Sequence, residues 1–310
     1  MKPATLSGVL VADKGPGVTS FDVVAILRRS LGVRRIGHGG TLDPGATGVL
    51  PILIGEATKL VPYVMEHDKE YLADVRLGVV TDTHDLSGRV LSTSPVPPLD
   101  RATLEEAVRP FMGRIKQVPP MYSAVHHEGH RLYELARAGL EVPREPREVV
   151  VQSIAVEAIT ETTVTLRIVC GKGTYVRSLA SDLGTSLGCG AAVERLTRTR
   201  VGPFTLAEAV PWSAITGPAS TRLAERVLPS EAALRGWPSV TLDARGARAF
   251  VHGQAAEARG LPTELRARLL IVRDPERSLL GVGESAANSQ HVKPLRLLHA
   301  DRPRTDVRPA

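Results

Sequence analysis

The run Gly37-His38-Gly39-Gly40-Thr41-Leu42-Asp43-Pro44-Gly45-Ala46-Thr47-Gly48 constrains this chain more than any other segment. Glycine weakens helix and strand interiors through backbone entropy, and proline fixes φ and removes a donor. The run therefore reads as a loop that presents one carboxylate, Asp43, with open backbone around it. Pro44 restricts the backbone of Asp43, and the glycines admit close approach of another molecule. An arbitrary Gly/Asp/Pro run is usually a surface turn. Here the apolar segment Val49 to Ile54 follows at once and reads as a strand that anchors the loop against a core.

Length and composition bound what the loop serves. A chain of 310 residues accommodates one large domain and a small one. Its 43% hydrophobic and 23% charged content fits a globular protein. Two cysteines, Cys170 and Cys189, supply neither a disulfide framework nor a four-ligand zinc site, and read as buried thiols in a reducing compartment. The apolar patch Val9 to Val11 is too short for a signal-peptide core, and no run reaches membrane-crossing length, so a cytoplasmic protein is expected. The net charge is +6, and thirteen Lys/Arg against eight Asp/Glu from Arg235 onward give that segment +5 of it. A basic C-terminal segment on a nearly neutral body points to a polyanionic partner.

Periodicity places the elements. Gly8 to Ala12 reads as a buried strand, and Thr19 or Ser20 caps a helix carrying Val23, Val24, Ile26 and Leu27. Glu56 to Met65 is expected to be a helix, and Lys69 to Gly78 a strand with Tyr71, Ala73, Val75 and Leu77 on one face. Leu99 to Met112 reads as a helix entered at Asp100. Pro119 to Pro146 is rich in His, Arg and turn residues and poor in apolar periodicity, as an arm or insertion would be. Val149 to Ile159 and Thr163 to Cys170 read as paired strands, Thr174 to Leu187 as a helix, and Ala192 to Val201 as a strand. Gly236-Trp237-Pro238 marks a boundary, so the expected division is 1–235, a small strand-rich module at 236–298, and a disordered tail at 299–310.

Five blocks, in order, carry a family resemblance. They are Asp13-Lys14-Gly15-Pro16-Gly17-Val18-Thr19-Ser20; the Asp43 loop; Lys69-Glu70-Tyr71 with Leu77 to Asp85; Pro119 to Ala124 with Gly129 to Arg137; and Cys170-Gly171-Lys172-Gly173-Thr174-Tyr175-Val176-Arg177 with Leu196-Thr197-Arg198-Thr199. The chain resembles the TruB-type tRNA pseudouridine synthases, which isomerise a uridine in the tRNA T-loop. The first block departs from the family's K-P-x-G order by one intervening glycine.

That resemblance implies an α+β pseudouridine synthase fold with a mixed central β-sheet and flanking helices, followed by a small β-rich domain of the PUA type. It implies conversion of uridine 55 to pseudouridine with Asp43 as the catalytic residue, Arg177 as its cationic partner and Tyr71 against the uracil. His38 would fill the space left by the extruded base, and Tyr175 and Leu196 would line the pocket. Lys14, Tyr122, His126 and Arg131 would bind substrate, and tRNA would be the partner of a monomer. The chemistry makes sense of these residue types. A base inside a folded loop must be extruded and benefits from an aromatic face, and a nearby cation keeps a carboxylate ionised and aimed. Rearranging a glycosidic bond calls for no metal or redox cofactor.

Whether Asp43 attacks the ribose, adds to the uracil or acts as a base stays open at this level, as does a role in tRNA folding. His126-His127-Glu128-Gly129-His130 is one residue short of the H-E-x-x-H zinc motif, and the family commonly has a lysine where His126 stands, so RNA contact is the expected role. A non-catalytic RNA-binding protein, a guide-RNA-dependent synthase resembling dyskerin and a metal hydrolase are the competing readings.

Overall fold

The structure is a computed structural model and describes residues 6–123, 125–286 and 289–298. The expected disordered tail at 299–310 lies outside the described residues. Strand β1 (Gly8–Lys14) is buried almost throughout and leads through a turn into α1 (Ser20–Leu31). A capping box starts that helix: Asp22 N donates to Thr19 Oγ1 at 3.1 Å while Thr19 N donates to Asp22 Oδ2 at 2.8 Å. Val23, Val24 and Leu27 turn inward, and Gly32 ends the helix in the left-handed conformation. β2 (Ile36–His38) and β3 (Thr47–Ile54) pair antiparallel, with the Asp43 loop between them.

The helix expected over Glu56–Met65 is split. A 3-10 segment covers Gly55–Leu60, and α2 (Val61–Glu66) follows, because Pro62 has no N–H to donate and suits only the first turn of a new helix. β4 (Lys69–Leu77) buries Ala73, Val75 and Leu77 in alternation. β5 (Val79–Thr81) and β6 (Val90–Thr93) form a hairpin that the polar sequence does not announce. α3 (Arg101–Val108), capped by Asp100, gives way to a 3-10 turn over Arg109–Phe111. After β7 (Gly113–Gln117) the arm contains a second hairpin, β8 (His126–His127) with β9 (His130–Arg131), and then α4 (Leu132–Arg137). β10 (Arg147–Ile159) and β11 (Thr163–Cys170) pair antiparallel, and α5 (Val176–Ser186), β12 (Ala191–Val201), β13 (Phe204–Thr205) and α6 (Trp212–Thr216) complete the body.

Nine strands join in one sheet, ordered β1-β3-β12-β4-β11-β10-β7, with β2 also on β3 and β13 on β12. Among the described residues one pair in it is parallel, β12 with β3, through Thr197 opposite Thr47 and Arg198 opposite Gly48. At Gly48, φ is 101°, and a Cβ would lie 2.2 Å from the Arg198 carbonyl oxygen. Only glycine allows this approach, which sets the exit of the Asp43 loop against the middle of the sheet. The architecture is α+β, with α1 and α5 sharing the main apolar core with the sheet.

β14 (Ser239–Thr241), α7 (Ala244–Val251), β15 (Ala256–Glu257), β16 (Leu269–Arg273), β17 (Leu279–Ser285) and β18 (His291–Leu297) follow Pro238. Their five strands form a separate sheet, β14-β16-β17-β18-β15, with a core around Leu242, Phe250, Leu270 and Val292. Ile271, Val282 and Leu298 pack instead with Val9, Val11, Val49 and Leu53 of the first sheet. Lys59 Nζ donates to the Leu297 carbonyl at 2.7 Å across this junction, and Arg273 pairs with Glu231. Cys170 and Cys189 are buried free thiols, and burial pushes Cys170 up to about 11. No helix among the described residues is long and apolar enough to cross a membrane.

Candidate active site

Two buried cations brace the Asp43 loop and the segments flanking it through backbone carbonyls. Lys14, fully buried at the end of β1, donates to the carbonyls of Gly15, Val18 and Pro44 at 2.9, 2.7 and 3.1 Å. All three donors of its ammonium are thereby used. Burial lowers Lys14 to about 8; the charge of Asp43 works against that shift and Arg198 works with it. Arg198 on β12, 1% exposed, donates to the carbonyls of Val49, Thr41 and Gly40 at 2.8, 3.2 and 3.1 Å. From α1, Ser20 Oγ accepts from Leu42 N at 2.8 Å and donates to Leu42 O at 3.2 Å. A loop tied at so many backbone groups holds its one carboxylate in a set pose.

Asp43 faces Arg177 of α5. The guanidinium divides its donors among three segments: Nε to Asp43 Oδ2, Nη1 to Thr83 O and Nη2 to Tyr122 O, each at 2.8 Å. Asp85 Oδ2 lies 3.8 Å from Nε and adds a second negative charge. The Arg177 side chain is 5% exposed, whereas that of Asp43 is 37% exposed and so reachable. The start of α5 is fixed by Gln117, whose Oε1 accepts from Tyr175 N at 2.7 Å and whose Nε2 donates to Tyr175 O at 3.0 Å. A buried arginine with every branch engaged orients its carboxylate and offsets the cost of its own desolvation.

An open cavity of about 910 Å³ lies over this pair, and His38, Asp43, Tyr122, Arg131, Arg177 and Leu196 are among its walls. It is roomy enough for a nucleotide. Burial, with Arg198 adding, pushes His38 below the usual histidine range, and its Nδ1 is buried without a hydrogen-bond partner among the described residues. Tyr71 lies behind the loop on β4, directly across from Arg198 on β12, and stays partly exposed. Burial raises its phenol, while the charge of Arg198 works the other way. Tyr175 is half-buried, raised by burial, with its phenol against Ser123 of the cavity wall.

Four expected site residues stand outside the cavity walls: Tyr71 and Tyr175 beside the cavity, and Lys14 and His126 apart from it. Lys14 is not placed to meet RNA: it is sealed in, and its donors serve carbonyls. His126 sits exposed on β8, opposite Arg131 of β9, outside the cavity walls. Of this pair Arg131 reaches the cavity, because backbone bonds from Leu132 N to Val125 O and Tyr133 N to Ser123 O fold the hairpin's second strand over it. Sequence reasoning gave no role to Asp85, Gln117 or Arg198, although Asp85 and Arg198 fall within the five blocks.

The model for the TruB family pseudouridylate synthase N-terminal domain matches residues 28–176, that for the tRNA pseudouridylate synthase B C-terminal domain matches 177–235, and that for the pseudouridine synthase II TruB C-terminal region matches 238–298. A protein of Burkholderia pseudomallei (strain 668) named tRNA pseudouridine synthase B is 43% identical over 92% of this chain and 95% of its own length. The chain belongs to the TruB family of pseudouridine synthases. A TruB relative of the same name from Geotalea uraniireducens (strain Rf4) is 48% identical over 66% of both chains. The solved structures similar to this TruB-family chain include a Cbf5-Nop10-Gar1 complex, with a TM-score of 0.71 at 26% identity over 97% of this chain and 86% of that one. An H/ACA RNP bound to a substrate RNA containing 2′-deoxyuridine gives a TM-score of 0.70 at 25% identity over 96% and 87%. The fold is that of the pseudouridine synthases.

Proposed function

We propose that this chain isomerises uridine 55 in the T-loop of tRNA to pseudouridine, acting as a cytoplasmic monomer without a protein partner. The observation that carries the reading is Asp43, held by Arg177 at 2.8 Å yet still 37% exposed, on the wall of a nucleotide-sized cavity. The names of the relatives support tRNA as the substrate, and the T-loop position rests on the resemblance in the five blocks. The reaction exchanges the N1–C1′ bond for a C5–C1′ bond, and the proton lost at C5 is matched by one gained at N1. Nothing is oxidised or reduced.

In this reading the uridine leaves its stack and enters the cavity. Arg177 keeps the Asp43 carboxylate charged and aimed, as nucleophile or base. Tyr71 is the platform under the uracil, Leu196 and Tyr175 close the apolar side, and His38 takes the extruded base's place in the loop. Tyr122 and Arg131 meet the RNA from the arm at about 119–146, and His126 extends that contact from its exposed strand. Residues 1–235 form the catalytic domain and 236–298 a PUA-like RNA-binding domain.

The test is to incubate a T-arm transcript with the purified chain and map pseudouridine. Asp43→Asn, which keeps shape and removes charge, is expected to lower kcat by about a thousandfold or more. An unchanged rate overturns the role of Asp43. An inactive wild-type chain on bare transcript overturns the stand-alone reading and favours dependence on a guide or partner.

A further inference from the structure

Phe21 is the most exposed large apolar side chain among the described residues, at 64%, and it belongs to none of the three apolar clusters. The ring therefore serves no core, which is unusual for phenylalanine. It lies on the rim of the Asp43 cavity, which Leu86 and Arg89 also line. Its backbone is rigidly placed: Phe21 is the second residue of α1, inside the capping box closed by Thr19 and Asp22. Arg28, two turns along the same helix, holds its guanidinium 5.8 Å from the ring centroid while Nη2 donates to Ile36 O at 3.1 Å. A fixed aromatic face, backed by a fixed cation and opening at the mouth of a nucleotide-sized cavity, has the properties of a base-stacking surface.

We infer that Phe21 is a stacking platform for an unpaired loop base next to the uridine that enters the Asp43 cavity, and thus a positioning residue for the reaction. The inference rests on the base-flipping reading above. A nucleotide drawn down to Asp43 unstacks its neighbour in the loop, and that neighbour needs a new face. The rim ring supplies one without reading base identity, because every base presents a π-face. Placed there, the second base fixes the loop's register over the cavity.

The experiment uses the full-length protein and a T-arm stem-loop transcript, with the Phe21→Ala, Phe21→Leu and Phe21→Trp variants. Phe21→Ala and Phe21→Leu are expected to raise KM about tenfold, with kcat within about twofold, and Phe21→Trp to keep the wild-type KM. A matching series of transcripts carries an abasic nucleotide at each loop position except the target. At one of those positions wild type and Phe21→Ala should give the same KM, because the stacking partner is gone from both sides. An unchanged KM in Phe21→Ala, rescue by leucine, or a penalty that persists on every abasic transcript each overturns the stack. Wild-type inactivity on the intact transcript overturns the functional reading instead, so the two failures are distinguishable. Phe21 is exposed, so these variants open no cavity in the core, and circular dichroism checks the fold.

Discussion

Lys14 and Arg198 act on the same loop from two sides, and neither has to touch substrate to matter. An ammonium offers three N–H donors and Lys14 meets three carbonyls, whereas a neutral amine offers two. Burial lowers Lys14 to about 8, so mildly alkaline solution removes a donor and loosens the clamp that joins the turn before α1, at Gly15 and Val18, to the Asp43 loop at Pro44. Pseudouridine formation is therefore expected to lose kcat in a one-proton step near pH 8, read from a rate profile between about pH 6.5 and about pH 9. The sign for stability is opposite. The folded value lies below the ordinary lysine value of 10.5, so between about 8 and 10.5 the unfolded chain binds the extra proton and Lys14's contribution to stability rises with pH. Loss of rate while circular dichroism reports an intact fold is the expected signature. Lys69, also lowered to about 8 by burial, is the competing source, but it serves two carbonyls, those of Met65 and His67, which a neutral amine can still satisfy. A step that survives in Lys69→Met assigns it to Lys14, and a profile flat to about pH 9 overturns the assignment.

At the scale of elements, the site depends on the parallel join of β3 and β12. Gly48→Ala puts a methyl into the Arg198 carbonyl and forces a left-handed φ on alanine, so a loss of about 3 kcal/mol in urea unfolding is expected. Gly45→Ala, at an exposed position of the same loop with nothing within 4 Å of the added carbon, should stay within about 0.5 kcal/mol. Equal effects of the two would refute the close-approach argument. The join also marks where the sequence stops being legible. The α1 cap, the alternation of β4 and the β10–β11 pair follow from local signals, because cap and periodicity are written in neighbouring side chains. The Asp43 loop stands out for the same reason. The supports do not: Lys14 reaches Pro44 across 30 positions and Arg198 reaches Val49 across 149. Both end on backbone carbonyls, which have no letter in the sequence. The β5–β6 hairpin is not legible because its strands are short, and β6 is exposed throughout, so no buried face imposes an apolar rhythm.

At the scale of the molecule, the two sheets are not tethered but packed. Ile271, Val282 and Leu298 share one apolar cluster with Val9, Val11, Val49 and Leu53, so RNA held by the second sheet would be held at a fixed distance from Asp43. The charge supports such a grip. Residues 236–298 carry nine Lys/Arg against six Asp/Glu, a local +3 on a nearly neutral body. Arg245 and Arg248 are both exposed on α7, three residues apart and so on one face. If that face meets two phosphates, replacing both with alanine releases two fewer counterions on binding. The slope of log affinity against log salt should then shrink by about 1.5 to 2, and tRNA affinity should fall alike for different tRNA sequences. The change should appear in affinity rather than in the rate at saturating RNA, because neither arginine lines the Asp43 cavity. Filter-binding titrations of wild type and the double variant at several salt concentrations measure this directly. An unchanged slope would move the phosphate contacts off α7, and a loss confined to one tRNA would mean that α7 reads sequence rather than charge.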